Sequence, residues 1–186
     1  MKRTFDIVIA LAGLALGWPV LLTLALAVRL TSPGPAIHWS RRVGRGNRIF
    51  AMPKFRSMRT DTPDVATHLL EDPGQWITPL GRFLRKSSLD ELPQLWSVLV
   101  GDMSLVGPRP ALFNQDDLVG LRTAAGVHRL RPGVTGWAQV NGRDELPIPE
   151  KVKLDAEYLD RMSLAFDLAI ILATARVALT GRGVSH

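Results

Sequence analysis

The chain has 186 residues, with 23 Lys+Arg against 17 Asp+Glu and no cysteine. That length suits one domain, or one domain plus an anchor. The missing cysteines exclude a disulfide framework, a thiolate metal site and a cysteine nucleophile, and the 46% apolar content excludes a disordered chain.

The net charge of +6 is unevenly spread. Residues 1–30 carry +2. Residues 31–60 carry Arg41, Arg42, Arg45, Arg48, Lys54, Arg56 and Arg59 with no acid, and residues 61–186 hold 13 bases against 16 acids, net −3. A nucleic-acid binder carries its basic excess on the folded module, so nucleic acid is not an expected partner. Here the excess follows an apolar segment directly, as a juxtamembrane basic patch does.

That segment, Ile7 to Val28, is 22 residues without a charge. At ~1.5 Å per residue a helix of this length reaches across a hydrocarbon core. A cleavable signal peptide fits poorly, because the run is long for one and no A-x-A site follows it. Trp18-Pro19 lies just past its middle, and proline removes a helical donor and clashes with the carbonyl four residues earlier. A kink is therefore expected there, and a helix–break–helix is one form it can take. Basic residues on both flanks favour both ends on the cytoplasmic face, as in a helix that dips in and returns. A kinked span with the N-terminus outside fits the length equally well. In either case the basic C-terminal flank places the rest of the chain in the cytoplasm.

Thr31 to Pro35 reads as a loop. Ala36–Arg41 and Ile49–Phe55 read as extended segments around Gly44-Arg45-Gly46-Asn47, a hairpin. Residues 60–79 are mostly loop with room for one short helix. Helices are expected at Leu80–Lys86, Leu89–Val100, Gln115–His128 and Glu150–Met162, the last amphipathic. Gly107-Pro108-Arg109-Pro110 is a rigid turn, and Arg131 to Trp137 a loop. Leu164–Thr180 is apolar except for Asp167, Thr174 and Arg176, which suits a core or interfacial helix better than a crossing.

Two readings compete at Ser88-Leu89-Asp90-Glu91. Ser88 and Glu91 have capping-box spacing, and acids belong in a helix's first turn. Alternatively, Asp90 and Glu91 form a carboxylate pair, one a nucleophile towards phosphorus and the other positioning a metal or a proton. Arg109, Arg131 and Arg143 each sit beside Gly or Pro, where a rigid turn holds a guanidinium for bidentate phosphate binding. With Lys54, Arg56 and Arg85 upstream, they suggest a polyphosphate site. The four histidines show no ligand spacing, and neither a Walker A sequence nor G-x-S-x-G occurs.

Four ordered stretches carry a family resemblance: Lys54-Phe55-Arg56-Ser57-Met58-Arg59, Ser88-Leu89-Asp90-Glu91-Leu92-Pro93-Gln94, Gly101 to Pro110, and Arg131 to Arg143. Together they resemble the bacterial sugar transferases, specifically the small monotopic phosphoglycosyl transferases, over nearly the whole chain. The resemblance implies transfer of a sugar-1-phosphate from a UDP-sugar to undecaprenyl phosphate, with release of UMP. It further implies Mg²⁺ and a covalent phosphosugar–aspartate intermediate, as the first membrane step of O-antigen, capsule, exopolysaccharide or glycoprotein synthesis. By position Asp90 corresponds to the nucleophile and Glu91 to its metal- or proton-handling neighbour, both near Mg²⁺. Arg109, Arg131 and Arg143 fall on phosphate-holding positions, and Lys54 and Arg85 carry over less specifically.

The resemblance also favours a re-entrant anchor, although the family's Ser-Pro break is Trp18-Pro19 here. The expected fold is α+β and predominantly helical, with an N-terminal re-entrant membrane helix, a small β-hairpin and amphipathic interfacial helices. Residues 1–30 are expected to form the anchor and 31–186 a catalytic domain on the cytoplasmic face of the inner membrane. A non-catalytic, membrane-anchored scaffold is the alternative. The sugar, the pathway and homodimer formation are left open.

Overall fold

The computed structural model describes residues 1–63, 72–142 and 146–180. The chain is mostly helical, with two small sheets. Helix α1 runs from Lys2 to Thr31 and is followed by strands β1 (Ile37–Val43) and β2 (Ile49–Phe55). These strands form the expected antiparallel hairpin, pairing Ile37 with Phe55 and Val43 with Ile49. Gly46 and Asn47 take up left-handed backbone at the turn (φ 65° and 60°), conformations that glycine and asparagine adopt most readily.

Helices α2 (Pro73–Trp76) and α3 (Pro79–Ser87) come next, each begun by a proline and each capped by the preceding side chain, Asp72 or Thr78. Both prolines sit at the first helical position, where a missing N–H is harmless. The region expected as one helix from Leu89 is instead a 3₁₀ turn, Leu89–Glu91, followed by α4, Gln94–Val100. Pro93 sets that start, since it cannot donate within a continuing helix. The capping-box reading fails here. Ser88 is left-handed (φ 56°) and makes no side-chain cap bond.

Strands β3 (Ser104–Val106) and β4 (Gly133–Thr135) pair in parallel. Both are only three residues long, and β4 lies in the stretch from Arg131 to Trp137 that the sequence reads as loop. The pairing rests on glycines that admit close backbone contact: a Cβ on Gly133 would lie 2.1 Å from the Gly107 nitrogen, and one on Gly136 would lie 2.1 Å from the Gly107 oxygen. Helix α5 covers Asp116–Ala124 only. It gives way at Gly126 (φ 75°) to a 3₁₀ turn, Val127–Arg129. A short α6 (Trp137–Val140) was not expected, whereas α7 (Ile148–Arg161) and α8 (Leu164–Thr180) were.

The main core gathers Met52, Val98, Met103, Val106, Tyr158 and Ile170 around Ala10 of α1. A smaller cluster sets Val28 of α1 against Phe55 and Leu84. Helix α1 is therefore tied to the fold at both ends. Near its start, the Lys2 ammonium donates to Val106 O (3.1 Å) and pairs with Asp167 (2.6 Å), while Arg3 donates to the α4 carbonyls of Val98 and Leu99 (2.6 and 2.8 Å). Asp6 accepts from Ser104 Oγ and the Leu105 amide. At the other end, Arg56 donates to Ser32 O and Oγ. Between these ties the helix is largely exposed, with Leu16 at 83% and Trp18 at 60%.

No helix break interrupts Trp18-Pro19; α1 is helical from Lys2 to Thr31. Pro19 costs the helix one ladder donor, and the turns on either side keep theirs. The Thr23 hydroxyl also donates to Pro19 O (2.8 Å). Among the described residues, α1 is the one helix long and apolar enough to cross a membrane.

Candidate active site

Helix α3 ends in an αL residue, Ser88, whose amide returns to Arg85 O (3.1 Å). This reversal throws the next turn, Leu89–Glu91, against the end of β2. Asp90 is thereby buried to 7% exposure. Glu91 lies beside Lys54 of β2, which donates to its Oε1 at 3.0 Å. The side chains of Glu91 and Lys54 are only 15% and 16% exposed. Both terminal nitrogens of Arg109 lie 3.4 Å from the same oxygen. A surface ion pair contributes little to stability, but this one is half enclosed and shares its anion between two cations.

The electrostatics follow from burial. Desolvation raises the Asp90 pKa, while Lys54 pulls it down, Glu91 pushes it up, and Arg85 and Arg109 pull it down. Desolvation likewise lowers the Lys54 pKa, and Glu91 opposes that shift. A carboxylate stripped of water is more basic, and the surrounding cations favour its ionised form. Two carboxylates, Lys54 and Arg109 thus form a nearly charge-balanced cluster that can meet a phosphate-bearing ligand.

Not all the expected residues converge here. Arg85 acts on Asp90 through its charge and donates to the Met58 sulfur (3.4 Å). Arg56 is buried at the joint between α1 and β1, held by Ser32. Arg131 lies at the far end of α4, where its Nε donates to Gly101 O (2.8 Å). Arg143 falls outside the described residues. The site therefore unites Asp90, Glu91, Lys54, Arg85 and Arg109.

The rigid turn expected at 107–110 is held bond by bond. The Gly107 amide donates to Thr135 O, the Gly133 amide to Pro108 O, and the Val43 amide to Ala111 O, each at 2.9 Å. Two guanidiniums complete the set: Arg122 donates to Arg109 O (2.8 Å) and Arg42 to Pro110 O (3.2 Å). Neither Arg42 nor Arg122 stands beside a motif that marks it for the site. A signal existed for the second, because Asp155 shares the buried stripe of α7 with Val152 and Tyr158, and a buried acid calls for a cationic partner.

The family model described as bacterial sugar transferase matches residues 1–181. The chain belongs to this family. It is 45% identical over 176 residues to a UDP-glucose:undecaprenyl-phosphate glucose-1-phosphate transferase of Xanthomonas campestris pv. campestris, covering 90% of this chain and 36% of that one. A like-named Escherichia coli (strain K12) protein is 42% identical over 94% of this chain and 39% of its own. The sugar transferase EpsL of Bacillus subtilis (strain 168), itself described as uncharacterised, is 40% identical over 100% of this chain and 91% of its own. The chain thus spans well under half of the first two relatives and most of the third.

Proposed function

We propose that this chain transfers a sugar-1-phosphate from a UDP-sugar to undecaprenyl phosphate, as an early membrane step of glycan synthesis. The observation that carries the reading is Asp90, buried at a helix junction beside Glu91, Lys54 and Arg109, in a family whose relatives are named for this chemistry.

In the proposed mechanism an Asp90 carboxylate oxygen attacks the sugar-bearing phosphorus of the donor. That phosphorus loses its bond to the bridging oxygen, and UMP departs with the electron pair. A phosphate oxygen of the polyprenyl acceptor then attacks the same phosphorus and breaks the acyl-phosphate bond, returning the carboxylate. Aspartate is a weak nucleophile, and in-line attack on phosphorus depends mainly on position and charge neutralisation. Lys54 and Arg109 hold Glu91 in place and, with Arg85, bring positive charge to the approaching diphosphate.

Magnesium is the proposed cofactor. No group of three or more His, Cys, Asp or Glu able to hold a metal occurs among the described residues. Two adjacent carboxylates fit a hard cation that is completed by substrate phosphates and water rather than by a protein cage. When bound, the ion would neutralise charge between carboxylate and diphosphate.

A re-entrant, monotopic placement on the cytoplasmic face is part of this reading, with residues 1–30 as anchor and the rest as catalytic domain. It is supported by the ties at both ends of α1 to the same fold and by basic residues on both flanks. Exposed Trp96, Val100, Leu168 and Leu172 on α4 and α8 suit contact with an interface.

The test is UMP release from a panel of UDP-sugars with undecaprenyl phosphate in lipid or detergent. Wild-type protein should turn over at least one donor, and Asp90→Asn should lose both turnover and the trapped phosphosugar adduct. Unchanged turnover in Asp90→Asn would refute the assignment.

A further inference from the structure

Arg109 reaches Glu91 from a turn that has no regular secondary structure of its own. Its direction depends on what holds residues 107–111. Three of the holds are backbone amides, which no substitution of a side chain removes. The hold on Arg109 itself is different: its carbonyl accepts from the Arg122 Nη1 at 2.8 Å. Arg122 stands on α5, and its remaining donors, Nε and Nη2, both reach Asp155 Oδ2 on α7, at 2.9 and 2.6 Å. The Asp155 side chain is 1% exposed and that of Arg122 11%. A chain of contacts therefore runs from α7 through α5 to the Arg109 backbone, and from the Arg109 side chain to Glu91.

The geometry points to Arg122 and Asp155 as positioning residues that aim Arg109 at the carboxylate pair. Arginine suits the task because its planar fork serves two acceptors at once in fixed directions. Lysine has the charge without the fork, so it can satisfy the carboxylate or the carbonyl but not hold both in the same geometry. Asp155 fixes the plane of the guanidinium, as a residue bonded behind an active-site group fixes that group's direction. The pair touches neither Asp90 nor Glu91 in any hydrogen bond of the structure. Its link towards the carboxylates is the bond to Arg109 O. This inference rests on the transferase reading, in which Arg109 meets the donor phosphates.

A double-mutant cycle tests it, with UMP release and equilibrium UDP affinity as readouts. Arg122→Lys should lower kcat/KM by about tenfold or more, the scale at which small displacements of a positioned group are felt. In an Arg109→Ala background the same substitution should change kcat/KM less than about twofold, because the group it positions is gone. Asp155→Asn should behave in the same way and carries the cycle if Arg122→Lys unfolds below the assay temperature, as followed by thermal unfolding. Equal fold-losses in both backgrounds, for either variant, would overturn the positioning role and leave the transferase reading intact. An inactive wild-type protein would overturn the transferase reading, and the cycle on UDP affinity alone would then decide the positioning role by the same criterion.

Discussion

Replacing Arg122 with glutamine leaves the Asp155 carboxylate buried at 1% exposure without its guanidinium. Burial already raises the Asp155 pKa, and Arg122 and then Lys151 hold it down. Without Arg122 it must rise further. A carboxylate whose folded-state pKa exceeds its unfolded value favours folding by the protonated form. Its contribution is therefore intact below the unfolded pKa and lost as pH rises through the folded one. The loss is bounded by proton uptake: at 1.36 kcal/mol per pH unit between the ordinary value of 3.8 and pH 7, it reaches at most about 4 kcal/mol. This agrees with the roughly 3–5 kcal/mol found on breaking a buried ion pair from one side. The lost donor to Arg109 O adds roughly 1–3 kcal/mol that does not vary with pH. Unfolding of wild type and Arg122→Gln in the same detergent, followed from pH 4 to pH 7.5, should show a gap that widens with pH. A gap of constant size would show instead that Asp155 carries no uncompensated charge in the variant. Adding Asp155→Asn to Arg122→Gln should flatten the profile.

Three further outcomes follow from other parts of the structure. Gly133→Ala places a methyl 2.1 Å from the Gly107 nitrogen, so it should destabilise by about 3 kcal/mol or more and depress UMP release by moving the Arg109 turn; a stable, fully active variant would contradict the close packing of β3 and β4. Thr4→Cys and Thr31→Cys, both exposed near the ends of α1, should label from the same side of sealed vesicles; labelling from opposite sides would establish a span. Chelation of Mg²⁺ should stop turnover while leaving the unfolding temperature unchanged, since two carboxylates make no structural cage; a large drop in unfolding temperature would show that the ion holds the fold.

The carboxylate pair illustrates how much of the site was legible. Asp90 and Glu91 stand side by side in an ordered set of motifs, so the sequence alone nominates them as a candidate pair. A capped helix start competes with that reading in the sequence, because Ser88 and Glu91 have the right spacing for a capping box. The fold chose otherwise: Ser88 closes α3 in a left-handed conformation and Pro93 delays α4, which leaves Asp90 in an isolated turn against β2. Lys54 and Arg109 join Glu91 across separations of 37 and 18 residues. Arg131 shares the Gly-Pro environment of Arg109 in the sequence and yet sits at the opposite end of α4.

Legible from the residues alone were the local features: the apolar run of α1, the hairpin around Gly44 to Asn47, the helix at α7, and charge concentrated in residues 31–60. These follow from side-chain chemistry at short range. Strands β3 and β4 were beyond it, since three residues carry no readable period and their pairing depends on Gly107, Gly133 and Gly136 meeting across the chain. The fixing of α1 at both ends was also beyond it. Proline weakens a helix locally, but clips at Lys2, Arg3 and Asp6 and packing at Val28 are tertiary contacts that hold both ends at once. The direction of Arg109 likewise belongs to the tertiary structure, because it is set by Arg42 and Arg122, donors brought from β1 and α5 to a turn that cannot orient itself.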